Sequence, residues 1–506
     1  THTESSGTGL QTTRLREDAR ELIRHAVGGT EDDLVIFCGS GATSAVNKLI
    51  GIMELRLPDG PVRRWGLDEH IPPGERPVVF VGPFEHHSNE LPWRESMADV
   101  VVIDADEDGH IDQAELEAQL VRYADRPLRI GSFSAASNVT GLLSDTDGIA
   151  ALLHRHGALS FWDFAAAAPY VPIRVAESAP GAGDHKDAIF LSPHKFIGGP
   201  QTPGVLVVGR ELVHNRVPTV VGGGTVLFVN QAGHEYLDDH VAREEGGTPA
   251  IVESIRAGLV VALKEAVGPD LIQAREEMFW RRALARWDGN PRLEILGSHD
   301  AARLSIVSFR IRHGPLYLHH NFVVAVLNDV FGIQARGGCS CAGPYGHRLL
   351  DIDDARSREL LDEIGHGCDG IRPGWARVNF NYFITDTVCD YLIEAVDMLA
   401  TYGHRLLPDY RFDPYTGLWQ HRRGPGEPAL RLHDVRFDPV AGIGHPPHRP
   451  RAGEDALADY LAVARAVFGT AGGDSGDELI EDRPTGMSEH FESLRWFVLP
   501  PSCLED

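Results

Sequence analysis

From about residue 12 to 270, short runs of apolar, often β-branched residues alternate with stretches of helical character. The runs are Leu34–Phe37, Val78–Val81, Val100–Ile103, Arg129–Phe133, Leu159–Trp162, Ala188–Leu191 and Gly204–Val208. Short apolar strands separated by helices are buried on both faces, so the pattern predicts an α/β domain with a mostly parallel seven-stranded sheet covered on each side by helices. Residues 250–290 read as one long helix or a helix pair beginning at Ile251, and residues 300–400 mix strands (Arg303–Phe309, Ala376–Phe380) with a helix (Val388–Leu399). That mixture predicts a smaller α+β domain. Past residue 400 the chain turns rich in Pro, Gly, His and Arg, as in Gly444–Pro450, with one helical segment near 454–468. The expected organisation is a large α/β domain over 1–265, its N-terminal residues partly belonging to the small domain, then a small domain over 266–400 and a C-terminal extension of unknown role over 401–506.

Composition narrows the function classes. The net charge of −26 disfavours nucleic acid as a partner, because binding to a phosphate backbone draws most of its affinity from Lys and Arg. No run of roughly 18 apolar residues offers a membrane span, so no membrane partner is expected. The first residues, Thr-His-Thr-Glu-Ser-Ser, carry neither an initiator Met nor a signal pattern, and the numbering is expected to begin inside a longer chain. Six cysteines are too sparse for a disulfide scaffold and suit a reducing cytoplasm. Lysine is rarer still: Lys48, Lys186, Lys195 and Lys264 are the only four.

Three strand-end segments carry candidate chemistry. Gly39-Ser40-Gly41-Ala42-Thr43 follows the first strand and opens the helix that begins near Ser44, so its backbone N–H groups and the Thr43 hydroxyl can cradle a phosphate. It lacks the Gly-Lys-Ser/Thr ending of a P-loop and the full spacing of a dinucleotide turn. Asp163 ends the run Leu159–Trp162, where open α/β sheets bind ligands; a helix cap or turn role is the structural alternative. Lys195, in Ser192-Pro193-His194-Lys195, follows the strand ending at Leu191, and burial there moves an amine toward the neutral form needed to form an imine. Ser192 and His194 can hold a phosphate beside it.

The order and spacing of these segments resemble the class V, or cysteine desulfurase-like, branch of the fold-type I pyridoxal 5′-phosphate (PLP) enzymes over roughly residues 8–400. Further motifs carry the likeness: Glu85-His86-His87-Ser88-Asn89-Glu90-Leu91-Pro92-Trp93, Ser137-Asn138-Val139-Thr140-Gly141, Glu245-Gly246-Gly247-Thr248-Pro249, Arg336-Gly337-Gly338-Cys339-Ser340-Cys341-Ala342 and Ala376-Arg377-Val378-Asn379. The resemblance implies PLP as cofactor, bound as a Schiff base at Lys195, with Asp163 pairing the pyridine nitrogen and His86 stacking on the ring, His87 being the second choice. It implies phosphate contacts from Ala42, Thr43, Ser192 and His194, and from Thr248 toward the neighbouring subunit's cofactor, hence a homodimer with shared sites. Asn138 then approaches cofactor and substrate, Arg377 grips the α-carboxylate of an amino-acid substrate with Arg336 assisting, and Cys341 takes sulfur as a persulfide, passed on to a sulfur-acceptor protein. The implied activity is that of a cysteine desulfurase or selenocysteine lyase.

Three features keep other readings open. Cys339 beside Cys341 also resembles the loop of molybdenum-cofactor sulfurases. Ala166 stands where many relatives carry Gln or His, so an aminotransferase, C–S β-lyase or epimerase reaction with Cys341 as bystander is the alternative. Cys339, Cys341, His366 and Cys368 could instead make a metal-binding or partner-binding module, although no metal site is expected.

Overall fold

The computed structural model describes residues 3–424, 430–446, 451–470, 482 and 486–504. Of the Gly444–Pro450 run, residues 447–450 lie outside the described residues. All seven apolar runs form strands, displaced from the expected bounds by about one residue: β1 (Asp33–Cys38), β2 (Val78–Val81), β3 (Asp99–Val102), β4 (Arg129–Ser134), β5 (Leu159–Asp163), β6 (Ala188–Leu191) and β7 (Gly204–Gly209). They make one sheet in the order β1-β7-β6-β5-β4-β2-β3. Neighbours from β3 through β6 pair in parallel, while β7 runs antiparallel to both β1 and β6. Every residue of β2, β6 and β7 is buried, as strands covered on both faces must be.

Helix signals stand where helices begin. Asp145 caps Thr146–Arg155 by accepting from Gly148 N at 2.9 Å, and Asp112 caps Gln113–Arg122 through the Ala114 and Glu115 amides. The helix after the glycine turn starts at Gly41, three residues before Ser44, and runs to Ile52. The stretch 250–290 is two helices, Ile251–Val267 and Pro269–Trp287, separated by Gly268 at φ +91°. The strand expected from Arg303 begins only at Ile306, because Arg303 and Leu304 are drawn off to the turn after β4: Arg303 bridges Leu142, and Leu304 N donates to Gly141 O at 2.8 Å.

The chain divides into two compact units. The first comprises residues 1–278, 297–306 and 341–345, and holds the seven-stranded sheet. Its N-terminal helix, Gly7–Ala26, expected to belong partly to the small domain, lies against Ile251–Val267 within this unit, with Gly258 facing Ala19. The second comprises residues 279–296, 307–340 and 346–506. Its antiparallel sheet runs Leu293–Ile295, Ile306–His313, Trp375–Asn379, Arg336–Gly338. One apolar cluster of this unit joins Phe279, Val307, Phe322 and Val396 with Tyr410, Trp419, Phe468, Phe491, Phe497 and Cys503, so the described part of 401–506 shares the small unit's core.

Candidate active site

In the first unit, β1, β5, β6 and β7 deliver the candidate residues to neighbouring strand ends. Asp163 closes β5, is 4% exposed, and accepts from Ala165 N at 2.8 Å. Burial pushes its carboxyl above the ordinary value, and the Lys195 charge with the Ala165 amide pulls the other way. β6 ends at Leu191, and a single helical turn, Pro193–Lys195, presents His194 and Lys195. Partial burial, with the charge of Lys195, holds the His194 imidazole below its ordinary value. The other three lysines are committed elsewhere. Lys48 reaches Thr219 and the Glu244 carbonyl, each at 2.6 Å; Lys186 pairs with Asp147; Lys264 donates to the Val171 carbonyl at 2.6 Å.

The glycine turn is packed against the lysine turn with no room to spare. Ala42 N donates to Ser192 Oγ at 2.9 Å. Gly41 has φ +59°, and a Cβ there would stand 2.6 Å from His194 Cε1 and 3.0 Å from Ser192 Oγ. A Cβ on Gly204, at the start of β7, would meet the Gly41 carbonyl oxygen at 2.0 Å. The N-terminus of Gly41–Ile52 is thereby fixed beside Ser192 and His194, with Thr43 hydrogen-bonded to Ser88 at 2.6 Å. Ser88 Oγ lies 3.0 Å from His86 Nδ1, which also accepts from Ser88 N at 3.1 Å. With Nδ1 an acceptor, the His86 proton sits on Nε2.

Asn138 occupies the turn after β4, where Ser137 Oγ accepts from the Val139 and Thr140 amides. That turn is tied to β5 by Ala135 N donating to Asp163 O at 2.9 Å. Residues 341–345 also belong to the first unit, and they dock on His87: His87 N donates to Cys341 O at 2.9 Å, and Gly343 N to His87 Nε2 at 3.0 Å. Ser340 and Cys341 both hold left-handed backbone, φ +56° and +60°, a conformation that side chains with a Cβ disfavour. Cys339 and Cys341 are half-buried, whereas Cys38, Cys368, Cys389 and Cys503 are buried. Burial pushes the thiols of Cys38 and Cys503 up to about 12. Thr248 is exposed, in the turn ahead of Ile251–Val267.

In the second unit Arg336 and Arg377 are direct cross-strand partners, which places two cations on one face of an antiparallel pair. Like charges so placed repel unless an anion lies between or near them. Among the described residues, the one group of three His, Cys, Asp or Glu ligand atoms converging within 4.8 Å is His154, His185 and Asp187; it includes none of Cys339, Cys341, His366 and Cys368.

Sequence reasoning missed Glu85 and the part played by His87. Glu85 is buried and accepts from Ser134 N, Ser134 Oγ and Asn89 Nδ2 at 2.7–2.8 Å. Burial outweighs these bonds and, with the charge of Asp163, pushes its carboxyl up to about 7. The only signal was its place immediately before His86 and His87.

The family model for class V aminotransferases matches residues 1–353. The chain belongs to the class V aminotransferase family. It is thus an enzyme of a PLP-dependent family, with the fold-type I architecture that the resemblance implied. Among class V relatives, it is 29% identical over 367 residues to a probable cysteine desulfurase of Halalkalibacterium halodurans, covering 71% of this chain and 80% of that protein. It is 27% identical over 397 residues to a probable cysteine desulfurase of Methanothermobacter thermautotrophicus, covering 78% of this chain and 86% of that protein. Of solved structures, an apo cysteine desulfurase from Thermococcus onnurineus superposes with a TM-score of 0.63 at 20% identity, covering 79% of this chain and 87% of that one. A cysteine desulfurase from Escherichia coli gives 0.59 at 21% identity, covering 78% and 86%. At such identities these structures speak for the fold. No described helix is long and apolar enough to cross a membrane.

Proposed function

We propose that this class V enzyme binds PLP at Lys195 and transfers sulfur from L-cysteine to Cys341. The observation that carries the reading is the position of Lys195 in the turn after β6, beside the strand end that bears the buried Asp163, on whose carboxylate its charge acts. The residues fit a phosphorylated pyridine. A 12-residue helix offers its N-terminus to the phosphate, the Gly41–Gly204 contact keeps that approach open at backbone level, and Ser192, Thr43 and His194 supply side-chain groups. When bound, the cofactor supplies an electron sink for negative charge developing at the substrate Cα.

The protein's own residues then divide the work. Asp163 holds a proton on the ring nitrogen, a task suited to a buried anion facing a cation. His86, with its proton on Nε2, would stack on the ring and could pass that proton. The Lys195 amine moves the proton at Cα. Arg377 and Arg336, cross-strand partners, would grip the α-carboxylate. Asn138, in the turn tied to β5, would approach the cofactor. The Cys341 thiolate attacks the substrate sulfur, the carbon–sulfur bond breaks, and the products are alanine and a persulfide on Cys341. Atoms and electrons balance without an outside oxidant or reductant. The names of the relatives and the half-buried, His87-anchored position of Cys341 support this step. The exposed Thr248 turn fits contact with a second subunit's phosphate, hence a homodimer, and the persulfide would pass to an acceptor protein in the cytoplasm.

Cys341→Ala tests the reading. The variant is expected to keep the visible absorbance of bound cofactor while alanine formation from L-cysteine falls at least about a hundredfold. Full turnover in that variant would assign the enzyme to another class V reaction, with Cys341 a bystander. A protein that remains colourless with PLP would remove the cofactor reading itself.

A further inference from the structure

At the opposite end of β6 from Lys195, two histidines converge on one carboxylate. His154 lies in the last turn of Thr146–Arg155, and His185 and Asp187 end the loop that leads into β6. Asp187 precedes β6 while Lys195 follows it, so the strand separates the two sites by roughly 13 Å. The cluster takes no part in the chemistry at Lys195.

Its hydrogen bonds fix which nitrogen carries which proton. His154 Nδ1 lies 2.6 Å from the Gly183 carbonyl oxygen, which can only accept, so Nδ1 carries the proton. His154 Nε2 then points a lone pair at Asp187 Oδ2, 2.9 Å away. Two electron-rich atoms at that separation need a cation between them, either a second proton or a metal ion. His185 is held more loosely, its Nδ1 making no hydrogen bond. Its Nδ1 faces the Glu177 carboxylate at 3.8 Å, and its Nε2 faces Asp187 Oδ1 at 3.5 Å. The two rings are stacked, with centroids 3.9 Å apart and planes 14° from parallel. Placing a proton on each would stack two imidazolium cations face to face, whereas one shared cation serves both rings.

An outer nitrogen turned to a carbonyl or carboxylate, with the inner nitrogen left bare, is the usual setting of metal-bound histidine. Two imidazoles and a carboxylate suit zinc and its first-row neighbours rather than calcium or magnesium. The three ligand atoms lie within 4.8 Å of one another, and bonds of about 2.0–2.2 Å require only a small closure. Asp187 is also anchored from behind, accepting from Ser160 N at 2.6 Å, and Glu177 is anchored by the Gly181 and Gly183 amides at 3.0 Å. We propose that His154, His185 and Asp187 bind a divalent transition-metal ion of the zinc class, with Glu177 and the Gly183 carbonyl orienting the two rings. The ion rivets the loop 176–187 to the end of Thr146–Arg155 and the start of β6, leaving a fourth position for water.

The test uses the full chain with PLP bound, stripped by a chelator and titrated with Zn2+ by calorimetry and by thermal unfolding. One Zn2+ per chain is expected, with a rise in Tm as the folded state is selectively bound. His185→Ala, and His154→Gln as a second variant checked for an unchanged metal-free melting profile, should each weaken binding at least tenfold and lose the Tm rise. A Cys339→Ser/Cys341→Ser variant should retain both. Absence of stoichiometric Zn2+ binding in the native sequence, undiminished binding in the histidine variants, or loss of binding in the cysteine variant would each overturn the proposal.

Discussion

Lys195 and Cys341 both lie in the first unit, yet their surroundings are built by opposite means. Lys195 follows a fully buried strand, and the turn opposite it is jammed between Gly41, Ser192 and Gly204 so closely that no Cβ fits. Cys341 instead rides a turn whose last two residues, Ser340 and Cys341, hold left-handed backbone. That conformation costs about 1–2 kcal/mol per residue. The two hydrogen bonds that tie the loop to His87 return about 1 kcal/mol each. The hydrogen bonds offset part of that cost in the loop, while the strand ends are fixed by the core. The lysine proposed to hold the cofactor is thus fixed by its packed surroundings. The thiol proposed to take sulfur is half-buried, its direction preset by left-handed backbone.

The largest effect is expected at the rigid end. Lys195→Ala should abolish the cofactor's borohydride-sensitive absorbance and lower turnover by at least about 10²-fold, read by visible spectroscopy and product assay. Retained turnover would place the proton transfer elsewhere and break the contrast. Next comes Gly204→Ala. With a Cβ forced to 2.0 Å from the Gly41 carbonyl, it should destabilise the first unit by about 3 kcal/mol or more, seen as a lowered unfolding midpoint together with weakened PLP retention. A silent substitution there would mean that the cradle yields. The smallest shift in stability belongs to Ser340→Gly. Glycine removes the left-handed cost but adds about 0.5–1 kcal/mol of chain entropy, so the unfolding midpoint should move by less than about 1 kcal/mol. Sulfur transfer should nevertheless fall, because the thiol loses its preset direction. A large change in stability with unchanged turnover would show that the loop is as rigid as the strand ends.

The strands were legible because each is a short apolar run between helical stretches, and the parallel sheet follows from that alternation alone. The positions of Gly41, Asp163 and Lys195 at a helix start and at strand ends were legible because the apolar runs stop just before them. What escaped depends on contacts between residues far apart in the chain. Pairing of Arg336 with Arg377 is set by strand register, which no local pattern encodes. Anchoring of the cysteine loop falls to the His87 ring, while the adjacent His86 ring turns to Ser88, a division invisible in a His-His pair. The meeting of His154 with His185 and Asp187 spans a loop of no regular period. Apart from the helical segment near 454–468, which forms Leu457–Thr470, residues 401–506 were opaque for a similar reason, since their apolar side chains are scattered among prolines and glycines.

That scattering has a consequence for how the chain can be divided. The family match stops at residue 353, but Tyr410, Phe412, Trp419, Phe491 and Phe497 complete the apolar cluster begun by Val307, Phe322 and Phe331. The boundary of kinship and the boundary of folding therefore fall in different places. A gene cut at the first would leave an open hydrophobic wall where those later side chains now pack.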